Sequence, residues 1–139
     1  MKIVTADQSS LLFKALLANG LFSTGSGLTM LLFSRPIAAR IGFDQPQLIL
    51  GIGVMLLLFG GSLLFHALRK RIRRVEALAI SAMDLGWVLG SALLVLLAPQ
   101  LLNPTGITVL IALAVVVFSL FELQVWALWR LSKMNRTRV

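Results

Sequence analysis

The sequence predicts an all-α fold: a membrane-spanning four-helix bundle with short loops, both ends of the chain in the cytoplasm, and a short amphipathic segment between the first two helices. Three observations predict it. Four apolar runs cover approximately residues 11–33, 48–68, 77–98 and 105–128. Each is close to the ~20 residues that cross a ~30 Å hydrocarbon core at ~1.5 Å per residue. Composition agrees, with 58% hydrophobic and 13% charged residues and a mean hydropathy of +0.94, whereas a soluble domain carries about 25% charged residues. The basic residues supply the third observation. Of the 13 Lys and Arg, four crossings place eleven on one face: Lys2 and Lys14, then Arg69, Lys70, Arg71, Arg73 and Arg74, then Arg130, Lys133, Arg136 and Arg138. Arg35 and Arg40 are left for the other. Short loops rich in Lys and Arg stay in the cytoplasm, which sets the orientation.

The spans and their loops use the whole chain, 1–139, as one integral membrane domain. The longest loop has too few residues for an extramembrane domain, so any function belongs within the bundle or at its two rims. A net charge of +8 beside hydrophobic spans points to anionic lipid headgroups on the cytoplasmic side, each nearby Lys or Arg contributing ~1 kcal/mol, and not to nucleic acid. The absence of cysteine excludes disulfides and thiolate chemistry. Lys14 interrupts the first apolar run and no clean small-x-small site follows it, so this run is expected to remain as a helix rather than be removed as a signal peptide.

Along the chain, residues 1–10 read as a short polar lead, with Ser9 or Ser10 capping the first helix through its hydroxyl. Within residues 11–33, Gly20, Ser23, Thr24 and Gly27 recur at spacings of three and four, giving a small-residue face that another helix can approach closely. Pro36 ends that helix. Residues 36–43 read as one or two amphipathic turns in the outer headgroup region, with Ile37 and Ile41 on one face and Arg35 and Arg40 polar; Gly42 ends them. Asp44 opens the second helix with Pro46 in its first turn. Gly51, Gly53, Gly60 and Gly61 make this helix dependent on packing. The basic turn 69–74 returns the chain, the third helix starts near Glu76, and Pro99 stops it. Asn103-Pro104 is a helix-start pair. Its short connection makes the third and fourth helices antiparallel neighbours.

Two acids lie inside apolar runs, Asp84 and Glu122. A charge at a helix centre costs ~2.5–3.5 kcal/mol on insertion scales, so such residues usually have a partner or a role. Counted from the cytoplasmic rim, both lie ~12 Å deep, level with Asn19, Gly60, Gly61 and Ser62. Lys14 is about one and a half turns nearer the rim, within reach on its long stem. One reading of this layer is a hydrogen-bonded network that fixes helix register. The other is a site for a proton, cation or ligand, since two acids in one low-dielectric site do not both ionise cheaply. On the third helix, Ala77, Ile80, Ser81, Trp87, Val88, Ser91 and Val95 lie within ~60° of Asp84. Gly86 and Gly90 form a G-x-x-x-G pair on another face, suited to a helix of the same bundle or of a second copy.

His66 is the one histidine and stands without the partners a metal site needs. Trp126 and Trp129 read as rim anchors, and Arg69, Lys70, Arg71, Arg73 and Arg74 as a topology signal and headgroup contact. Neither a cofactor nor a catalytic residue is expected.

Several of these features resemble those of small, mostly uncharacterised four-helix bacterial membrane proteins, among them the DoxX-like group. They are a first helix ending in Pro36, the Ile41-Gly42 step, a glycine-rich second helix, a basic inner loop, and a third helix reading Asp84-Leu85-Gly86-Trp87-Val88-Leu89-Gly90-Ser91. The resemblance implies a bacterial cytoplasmic membrane protein and transfers no functional residue. In size and helix count the chain also resembles small multidrug carriers, but Lys14 and Asn19 stand in the first helix where those have an acid. The expectation is a non-catalytic accessory or scaffold subunit, with another membrane protein or a second copy as partner. The rival is a small proton- or cation-coupled carrier or channel using Asp84 and Glu122.

Overall fold

In a computed structural model the structure describes residues 3–136, with side chains described to Met134. Lys2 and Arg138, counted above, lie outside the described residues. The element order is β1 (Ile3–Thr5), α1 (Ser10–Leu32), α2 (Ser34–Ile41), α3 (Pro46–Arg69), β2 (Arg71–Arg73), α4 (Arg74–Leu97), a 3-10 turn (Pro99–Leu101) and α5 (Pro104–Arg136). Four of these helices, α1, α3, α4 and α5, are long and apolar enough to cross a membrane, consistent with a multi-pass membrane protein.

Local chemistry sets the boundaries. Ser9 Oγ accepts the Leu12 N–H at 3.2 Å, satisfying one of the orphan donors of the first turn of α1. Pro36 falls inside the first turn of α2, where its missing N–H removes no helical bond, so α2 begins two residues earlier than expected. Gly42 ends α2 in the left-handed region at φ 73. Pro46 is the first residue of α3 and Gln45 precedes it, with no side-chain cap; Asp44 does not fill that role. Arg73 N–H donates to Glu76 Oε2 at 3.0 Å, tying down the start of α4. Asn103 fastens two elements. Its Oδ1 accepts the Gly106 N–H at 2.8 Å, while its Nδ2 and backbone N–H donate to the carbonyls of Arg40 and Ile41 at 2.8 and 2.9 Å. The end of α2 is thereby held to the start of α5.

The polar lead and the basic turn have more structure than expected. Ile3–Thr5 pairs antiparallel with Arg71–Arg73, Val4 opposite Ile72, and Ala6 N–H donates to the Lys70 carbonyl at 3.2 Å. Successive strand residues point to opposite faces, so Val4 and Ile72 are buried while Arg71 and Arg73 are exposed. This two-stranded clip closes one end of the bundle, where Leu12, Leu16, Leu63 and Leu128 form its best-packed core with Ile72.

Glycines set the helix arrangement. A Cβ on Gly27 would stand 2.8 Å from the Gly53 carbonyl oxygen, and one on Gly53 would stand 3.0 Å from that of Gly27. Two backbones meet there at a distance that side chains forbid. Gly20 and Gly60 extend the seam, so α1 packs along α3 for most of its length. α4 packs on α5, and α1 also touches α5. α3 and α4 make no comparable contact, and a crevice lined by Met55 and Phe59 of α3 and Met83 and Trp87 of α4 lies between them. Gly61, Gly86 and Gly90 would meet nothing within 4 Å. The Gly86/Gly90 pair therefore points away from the other helices of the chain. α5 has 33 residues, ~50 Å at 1.5 Å per residue, and continues eight residues past Leu128, the expected end of the fourth span.

Candidate functional site

The buried polar groups of the bundle converge on Asp84. Asn19 Nδ2 of α1 donates to Asp84 Oδ2 at 2.7 Å, and Gln124 Nε2 of α5 donates to the same oxygen at 2.9 Å. Asn19 Oδ1 accepts from Ser23 Oγ at 3.2 Å. Gln124 Oε1 accepts from Ser81 Oγ at 3.3 Å, and that hydroxyl also lies 3.0 Å from the Ala77 carbonyl oxygen. The chain Ser23–Asn19–Asp84–Gln124–Ser81 therefore links three helices. Asn19, Asp84 and Gln124 are 1%, 3% and 0% exposed, so each amide is where an unpaired donor is costly. Asp84 Oδ1 accepts no hydrogen bond among the described residues.

The expected layer thus divides. Asn19 and Asp84 meet; Glu122 does not join them. Gln124 follows Glu122 by two residues, ~200° round the helix, and it is Gln124 that faces inward with Ala127, Leu128 and Leu131. Glu122 is exposed on the outward face of α5, in a shallow groove with Phe118, Ser119, Phe121, Trp126 and Trp129. Among the described residues it has neither an ion pair nor a hydrogen bond. Lys14 is exposed on α1 while Leu12 and Leu16 turn inward, and Ser62 is exposed on α3. Neither is bonded to Asp84. Gly60 packs on Thr24, whose Oγ1 is the buried side-chain polar atom without a partner among the described residues.

Gln124 was not anticipated. Its signal was present in the spacing Gln124, Ala127, Leu128, Leu131, a helical stripe with one polar member. However, the apolar residues of α5 surround the helix, and its one acid, Glu122, is the stronger polar signal.

Beside Asp84 is a crevice of about 80 Å³. Met55 and Phe59 of α3 form one wall, Met83 and Trp87 of α4 the other, with Ser26 of α1 and Asp84 deeper in. Met55 and Met83 are 50% and 56% exposed, which puts the mouth in the gap between α3 and α4.

At the clipped end, cations lie over aromatic rings: Arg69 over Phe65 at 4.3 Å, Arg130 over Trp126 at 4.1 Å and Lys133 over Trp129 at 3.9 Å from the ring centroids. His66 Nδ1 lies 3.4 Å from the Arg71 carbonyl oxygen, and no metal-binding cluster of His and acids occurs among the described residues. No protein-family model, curated protein or solved structure matches the chain.

Proposed function

We propose that this chain is an accessory subunit of the bacterial cytoplasmic membrane, with its clipped, basic end in the cytoplasm and no catalytic chemistry of its own. The observation that carries this reading is the position of Glu122. It is ~12 Å along α5 from Arg130, on an outward face, with no partner among the described residues. A bare carboxyl against lipid is expensive, so that face suits the helix of another membrane protein bringing a cation or hydrogen-bond donor to the same depth. The Asp84 network then keeps α1, α4 and α5 in register. The clustering of Arg69, Lys70, Arg71, Arg73 and Arg74 with Arg130 and Lys133 supports the orientation and provides contact with anionic headgroups.

A carrier using both acids finds no support within one chain, because Asp84 stands against the face of α5 opposite Glu122. The test of the accessory role is a photoreactive residue at Phe118, on the Glu122 face. In membranes it is expected to give one discrete protein adduct, reduced in Glu122→Leu. An adduct at twice the 15.2 kDa chain mass would make the partner a second copy, and labelling of lipid alone would overturn the reading.

A further inference from the structure

We propose that the crevice beside Asp84 binds a small hydrophobic monocation, an aryl- or alkylammonium, that enters sideways from the membrane between α3 and α4. This does not rest on the accessory role, which uses the opposite face of α5. Three features select the ligand. The first is the acid. Asn19 and Gln124 both bond Oδ2, leaving Oδ1 without a donor, and Asp84 is the one ionisable residue lining a mostly apolar crevice. A network serving helix register alone has no need of an open crevice at its one acidic member.

The second is the lining. Trp87, Phe59 and Phe22 surround the space with Asp84, and ring faces attract cations, Trp most strongly and more so away from water. Met30, Met55 and Met83 also line it; their unbranched, polarizable side chains adjust to ligands of different outline. An anion would find no basic side chain among the lining residues, and a neutral apolar molecule would leave Oδ1 unused.

The third is access. α3 is held by α1 through the Gly27/Gly53 and Gly20/Gly60 contacts and α4 by α5, so the two walls belong to different helix pairs. The half-exposed Met55 and Met83 stand at the mouth. A ligand dissolved in the bilayer reaches the acid without crossing the clipped end.

The experiment uses the full chain in detergent with Trp126→Phe and Trp129→Phe, so that Trp87 is the remaining indole of the three tryptophans. Benzyltrimethylammonium is titrated against Trp87 fluorescence and checked by equilibrium dialysis. Neopentylbenzene, of the same shape without the charge, is the control. Saturable binding is expected, weakened at least tenfold by Asp84→Asn, whose side-chain carbonyl still accepts from Asn19 and Gln124. Met55→Phe, on the wall away from the network, is expected to block binding with the helix content unchanged. Binding unaffected by both replacements, equal binding of neopentylbenzene, or no saturable binding would overturn the proposal. If Asp84→Asn fails to fold, the Met55→Phe result and the comparison of charged and neutral probes decide.

Discussion

Gly60 and Gly61 are neighbours in sequence, and replacing each with alanine separates packing from helix propensity. A Cβ at Gly60 would lie 2.5 Å from Thr24 Oγ1, 2.7 Å from Thr24 N and 3.0 Å from the Gly20 carbonyl oxygen, whereas one at Gly61 would have nothing within 4 Å. Two of the three contacts at Gly60 are with backbone, so a rotamer change cannot relieve them and α1 must move from α3. Overpacking of this kind costs ~1–3 kcal/mol. Both replacements gain the same ~1 kcal/mol of helix propensity, which cancels in the comparison. Gly60→Ala is therefore expected to be ~1–3 kcal/mol less stable than Gly61→Ala, a difference of ~5- to 150-fold in the unfolding equilibrium. Titrating sodium dodecyl sulfate into mixed micelles, with helix content followed by circular dichroism, measures it. Equal stability of the two variants would refute the argument that the α1/α3 seam is a backbone contact.

Two further predictions concern the polar network and the clip. Gln124→Leu removes one donor from Asp84 and leaves Ser81 Oγ without its acceptor on α5; a loss of ~1–2 kcal/mol is expected in the same assay, and Glu122→Leu should lose less. Ile72→Ala empties a site 2% exposed beneath the strand pair and is expected to cost ~2–4 kcal/mol. It should also speed amide exchange at Val4 and Ala6, which hydrogen-exchange mass spectrometry reads directly.

The apolar runs made the four long helices legible because hydropathy and length act residue by residue. Asn103-Pro104 and Gly42 were legible for a similar reason, since a cap or a left-handed turn is decided by one side chain. The Asp84 stripe on α4 was also readable: of the residues placed near Asp84 by a helical count, Ala77, Ile80, Ser81 and Ser91 are buried. Depth along a helix could be counted, but the rotation of α5 could not. α5 is apolar all round, so nothing in its sequence distinguishes the face of Glu122 from that of Gln124, and contact with α4 decides it. The strand pair was hidden for a different reason. Three residues each of Ile3–Thr5 and Arg71–Arg73 are too short for a periodic pattern, and the pairing is specified by the fold that brings them together.

That pairing also dictates an order of events. Ile3–Thr5 is made early, yet its complement is Arg71–Arg73, so the hairpin of α1 and α3 must already have been threaded out and back before the two can zip together. Once zipped, they tie the start of α1 to the end of α3, and the buried Val4 and Ile72 give α4 and α5 a surface to dock on through Ala77, Ile80, Leu128 and Leu131.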